Sequence, residues 1–124
     1  MRLALVTLSL LLSVPAAGTV LAADDTAAAG FPRFADDAGD RGRSVWLGTC
    51  RNCHEDGFAD APAISDAAAW APRVAKGRAV LHVHALNGFF GPAGQMMPPR
   101  GGNPRLDDDD VRAAVDYMLR LVTR

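Results

Sequence analysis

Cys50-Arg51-Asn52-Cys53-His54 uses both cysteines of the 124-residue chain and places a histidine directly after the second. This spacing leaves four chemistries to weigh: a zinc ion, a redox dithiol, a plain disulfide and a covalently attached haem. Zinc needs four ligands, so His82 or His84 would have to complete the set, and the adjacent Cys53 and His54 point in different directions. A thioredoxin-like dithiol calls for a strand before the first cysteine, whereas a helical pattern precedes this one. A disulfide across two intervening residues closes a small loop, removes little unfolded-state entropy and leaves His54 without a role. Haem attachment uses the whole motif: two thiolates add across the porphyrin vinyl groups, and the next imidazole becomes the proximal ligand of the iron. One haem c, held through Cys50 and Cys53 with His54 as ligand, is the expected cofactor.

The N-terminus fits that chemistry. Arg2 is followed by an apolar run, Leu3 to Leu12, broken only by Thr7 and Ser9, and Val20-Leu21-Ala22 offers small-residue cleavage chemistry. The run is too short to span a membrane and reads as a secretory signal over residues 1–22, the alternative being retention as an anchor. Residues 23–39 read as a flexible leader, and 40–124 as one domain with only a modest core of its own, which a bound cofactor would complete. Residues 23–40 carry five Asp against one Arg, while 41–105 carry eight basic side chains against four acidic ones. No basic stripe that would mark a nucleic-acid surface emerges from this balance.

From Asp40, the positions Gly42, Val45, Trp46, Thr49 and Cys50 fall on one helical face that runs into the motif. Pro72 is expected to open a short helical turn ending at Lys76-Gly77, and Arg78–Asn87 a further helix closed by Gly88. In the last nineteen residues Val111, Ala114, Val115, Met118 and Val122 form a stripe. Asp107 and Asp110 supply a capping box there, which with the helix dipole accounts for four successive aspartates without a calcium or partner site. Alternating strand patterns are absent, and Gly88–Asn103 is too rich in Gly and Pro for regular structure. The expected fold class is all-α, with helices packed around one haem.

The second axial ligand should come from the Gly/Pro loop. Met118 belongs to the core stripe, but Met96 and Met97 stand in a polar loop with no packing reason to be there. Met97 precedes Pro98, whose ring enforces an extended conformation, so Met97 is preferred over Met96. His84, which shares a face with Leu81 and Ala85, is the competing ligand.

Beyond these arguments, the chain resembles the class I c-type cytochromes, and within them the cytochrome c5 group. The similarity covers residues 40–124. It rests on Gly42 and Trp46, on Cys50, Cys53 and His54, on Ala61-Pro62, on "AWAPRVAKG" (69–77), on "MPPRGG" (97–102) and on "VRAAVDYML" (111–119). The resemblance implies that Gly42 and Trp46 lie where the first helix crosses the last near Tyr117. It also implies that His54 and Met97 are the axial ligands, and that Trp70 and Arg73 sit beside the haem propionates. Some members carry a second cysteine pair after the MPPRGG segment; Asn103-Pro104-Arg105-Leu106 has none.

The expectation is a monohaem periplasmic one-electron carrier in a respiratory or related redox chain. Its partners would be redox donor and acceptor proteins, membrane-bound oxidase or reductase complexes among them, with no nucleic acid and no free substrate. The alternative is a haem-based sensor or enzyme whose distal methionine is displaced by a small ligand.

Overall fold

The structure is a computed structural model that describes residues 28–124; the expected signal segment and the first residues of the leader lie outside them. Helix α1 (Asp37–Val45) begins three residues before the expected Asp40, because Asp36 caps it by accepting the Gly39 N–H at 2.6 Å. The chain stays helical past Val45. It widens into one π turn over Trp46–Cys50, where the Arg51 N–H reaches back to the Trp46 carbonyl, and then tightens into α2 (Arg51–His54). The whole motif is thus the end of one long helix carrying a bulge, a local geometry that recurs at functional sites.

Three further helices complete the described chain: α3 (Ala67–Val74), α4 (Arg78–Asn87) and α5 (Asp108–Val122). Short 3₁₀ turns occupy Phe58–Asp60 and Pro99–Gly102. α3 departs from the expectation that Pro72 would open it. Asp66 caps the helix at Ala69 N, 2.9 Å away, so α3 starts at Ala67 and Pro72 lies inside. The Ala68 carbonyl, to which Pro72 can donate nothing, sits on an exposed residue where water can serve it. A second departure is a two-stranded hairpin inside the Gly/Pro segment, β1 (Phe89–Phe90) against β2 (Met96–Met97), with Phe89 opposite Met97 and Phe90 opposite Met96. Two residues per strand are too few to show alternation in a sequence. The Gly91 N–H to Gln95 carbonyl bond at 2.8 Å closes the turn between them.

α5 opens with the reciprocal capping box expected from the sequence: Asp110 N–H to Asp107 Oδ1 at 2.8 Å, and Asp107 N–H to Asp110 Oδ2 at 3.1 Å. Arg41 of α1 engages both carboxylates, Nε to Asp110 at 2.8 Å and Nη2 to Asp107 at 3.0 Å, and ties the start of α5 to α1. The two helices cross at Gly42. A Cβ built there would overlap the Ala113 carbonyl and stand 2.8 Å from Tyr117 Cβ, so only glycine allows this approach. Trp46 (0% exposed) and Tyr117 (1%) fill the centre beside Trp70 and Met118. This is the crossing that the resemblance implied.

Residues 28–36, expected to belong to a loose leader, instead form a packed strap. Phe31 meets Trp46 edge to face at 5.2 Å, and Phe34 meets Tyr117 at 5.4 Å. The Tyr117 hydroxyl donates to the Pro32 carbonyl at 3.0 Å. Buried Arg43 donates to the carbonyls of Phe31 (2.7 Å) and Ala28 (3.1 Å), so its charge is met by backbone dipoles. The strap covers the helix crossing.

Candidate cofactor site

Cys50, Cys53, His54, Trp70, Arg73 and Met97, the six site residues expected from the sequence, all border a single cleft. It encloses about 1290 Å³ of empty space, part of it open to solvent. Its walls are largely apolar, with Leu81 and Ala85 from α4 and Val111, Ala114 and Met118 from α5.

His54 is held by the segment that follows the motif. Ala61 is extended (φ −63, ψ 142), as a residue before proline must be, and this delivers the Pro62 carbonyl to within 3.0 Å of His54 Nδ1. A carbonyl only accepts, so Nδ1 carries the proton and the lone pair stays on Nε2, the nitrogen left for a metal. Burial holds the His54 pKa below the ordinary imidazole value; the charge of Arg73 adds to this and the Pro62 bond opposes it, so the ring is neutral at pH 7. The Ile64 N–H donates to the His54 carbonyl at 2.6 Å, and the Trp70 ring lies 5.9 Å from the imidazole.

The two cysteines are both half-buried on the cleft wall, and no disulfide joins them. Met97 is half-buried, whereas Met96, its neighbour on the opposite side of the β2 pleat, is 55% exposed.

Trp70 lies on the cleft wall. Its indole N–H donates to the Ala63 carbonyl at 2.8 Å, so the side chain shows the cleft its ring and spends its donor on the loop that carries Pro62. Arg73 donates to the Ala69 carbonyl at 2.5 Å, and neither it nor Lys76 has an acidic partner among the described residues. Lys76 was not singled out in the sequence. Its ammonium stands 5.0 Å from the Phe89 ring, which also stacks on His84 at 4.0 Å and 18°. His84 borders the cleft, while His82 bonds Asp116 at 2.7 Å between α4 and α5.

These residues fit a haem. Apolar walls suit the porphyrin faces, paired thiols its vinyl groups, and an imidazole with a free Nε2 together with a thioether suit the iron. Arg73 and Lys76, cations without carboxylates of their own, suit the two propionates. Zinc finds no such set: among the described residues no three or more His, Cys, Asp or Glu side chains are grouped to hold a metal ion.

Known proteins similar to this chain are c-type cytochromes. The family described as cytochrome C oxidase, cbb3-type, subunit III matches residues 37–118. Cytochrome c-555 of Chlorobaculum thiosulfatiphilum is 44% identical over 78 residues, covering 63% of this chain and 90% of that protein. Cytochrome c5 of Azotobacter vinelandii is 37% identical over 74 residues, 58% of this chain and 83% of that protein. A chain in a crystal structure of an electron transfer complex of nitrite reductase with cytochrome c superposes with a TM-score of 0.58 at 39% identity, covering 70% of this chain and 96% of that one.

Proposed function

The chain belongs to the class I c-type cytochromes, the group of cytochromes c-555 and c5, and from that premise we propose that it is a periplasmic carrier of single electrons in a respiratory or related redox chain, with His54 and Met97 as its axial ligands. As a member of this family it carries one haem c through Cys50 and Cys53 and is an electron-transfer protein rather than an enzyme. The haem supplies an iron that alternates between ferric and ferrous states.

The observation that carries the ligand assignment is the orientation of His54. The Pro62 carbonyl fixes its proton on Nδ1, and Met97 is the less exposed of the two loop methionines on the same cleft. Thioether ligation favours the reduced iron. A ligand adjacent to the attachment site and a proline-stiffened methionine segment would change little between redox states, which keeps reorganisation small.

Electrons would pass at the cleft mouth, where Phe58 and Met96 are exposed and border the opening. Redox proteins are the partners, membrane-bound oxidases or reductases among them. The export signal read over residues 1–22 is what supports the periplasmic assignment.

The test has two parts. Haem staining on a denaturing gel should persist in the wild type and vanish when Cys50 and Cys53 are both replaced by alanine. The weak red sulfur-to-iron absorption of the ferric protein should disappear in Met97→Ala and survive in Met96→Ala; the reverse pattern would move the ligand to Met96.

A further inference from the structure

Three consecutive residues after Pro99 adopt left-handed backbone: Arg100 (φ 55), Gly101 (φ 62) and Gly102 (φ 80). The two glycines hold this conformation without steric penalty, but an arginine does not. Nothing in the backbone at position 100 calls for a side chain, so the reason for one lies in what the guanidinium does.

It reaches across to the start of α5. Nη1 donates to the Leu106 carbonyl at 3.0 Å and Nη2 to Asp108 Oδ1 at 2.6 Å. Arg100 is the first cause holding the Asp108 carboxyl below its usual range. That end of α5 is itself fixed to α1 by Arg41 through Asp107 and Asp110. The segment behind Met97 is therefore tied to a helix end that is braced from two sides. Two other contacts assist: Asn103 Nδ2 to Thr49 Oγ1 at 3.1 Å, and Gly88, where a Cβ would stand 3.0 Å from the Met97 carbonyl.

We propose that Arg100 is a positioning residue, a latch that holds the Met97 segment against α5 and so sets how readily the distal side opens to an outside ligand. The proposal rests on the reading of Met97 as an axial ligand. An external ligand can bind only the fraction of molecules whose methionine segment has swung away, so its apparent affinity scales with that fraction. Arg100 thereby decides between the two behaviours the sequence left open, a sealed carrier and a ligand-binding haem protein.

The experiment is an imidazole titration of the ferric, haem-loaded protein, followed through the red absorption. Arg100→Gly is informative because it relieves the left-handed strain while removing the latch. It should bind imidazole roughly tenfold more tightly than the wild type, the size expected when charged hydrogen bonds that restrain the segment are lost. Arg100→Lys, which keeps one charged donor but not the fork, should fall between the two. If Arg100→Gly yields no haem-loaded protein, Arg100→Gln takes its place and should tighten imidazole binding several-fold. Wild-type affinity in the glycine or glutamine variant overturns the latch. Met97→Ala separates the two claims: a red band that survives there overturns the ligand assignment itself, whatever position 100 does.

Discussion

Gly42 of α1 lies so close to Ala113 of α5 that a Cβ at position 42 would overlap the Ala113 carbonyl oxygen. Both helices meet there through backbone, with Trp46 and Tyr117 closing over the contact. The helix that ends in the cofactor motif is positioned by this crossing, which makes the approach distance at Gly42 a property of the site as well as of the core.

Gly42→Ala should therefore destabilise the haem-loaded protein by about 3 kcal/mol, at the upper end of ordinary overpacking, because the obstructing atoms are backbone and cannot swing aside. Gly48→Ala, in the π turn only six residues on, is the control. Nothing lies within 4 Å of its would-be Cβ, and removing glycine's unfolded-state freedom should stabilise by up to about 1 kcal/mol. Guanidinium unfolding of the two variants would measure both. Equal effects would show that the crossing is not tight in solution.

Trp70→Phe removes the 2.8 Å indole donor from the Ala63 carbonyl, which keeps the Asp66 N–H at 3.0 Å, and loosens the loop that presents Pro62 to His54. The expected loss is about 0.5–1.5 kcal/mol of unfolding free energy, the net value of one hydrogen bond, with little change in reduction potential. A shifted potential at unchanged stability would instead mean that the indole N–H serves a propionate.

Acid should weaken the fold through three carboxylates. Hydrogen bonding to Arg120, Arg100 and Arg41 holds Asp36, Asp108 and Asp110, respectively, below the ordinary value of 3.8. Their folded-state pKa values lie under the unfolded ones, so the stabilisation is complete above the ordinary carboxylate range. It fades as pH falls through that range towards the depressed values. Between pH 5 and 8 these groups should contribute a flat profile. Asp110→Asn should shallow the acid limb relative to wild type, and the difference should shrink in high salt because the pairs are exposed. Unfolding midpoints from pH 7 to pH 2 would read this; superimposable wild-type and Asp110→Asn curves would remove Asp110 from the account.

What the sequence made legible was local. The α5 capping box could be read because Asp107 and Asp110 satisfy each other within one turn, and the cysteine motif because its chemistry is complete in five residues. Relationships that depend on distant partners could not be read this way. Residues 28–36 have no periodicity, so the strap becomes ordered only through Trp46, Arg43 and a tyrosine hydroxyl 85 positions from Pro32. Pro72 pointed to a helix start, yet Asp66 had already capped that helix six residues earlier. The Ala63 acceptor of the Trp70 indole was equally hidden: it is a backbone carbonyl, and carbonyls leave no trace in composition. Arg100 offered one overlooked signal, a long charged side chain set beside two glycines in a tight loop.

The π turn at Trp46–Cys50 has a consequence in angle. An α-helix advances about 100° per residue, so the widened turn resets the azimuth of everything beyond it relative to α1. Gly42 must face α5 while Cys50, Cys53 and His54 must face the cleft, and a uniform helix would link those two headings rigidly. The bulge supplies an offset between them. Removing a single residue from Trp46–Thr49 would swing the motif by roughly a quarter turn while leaving every side chain in it unchanged. The composition of the motif and its bearing are thus encoded separately, the first in five residues and the second in the pitch of the turn before them.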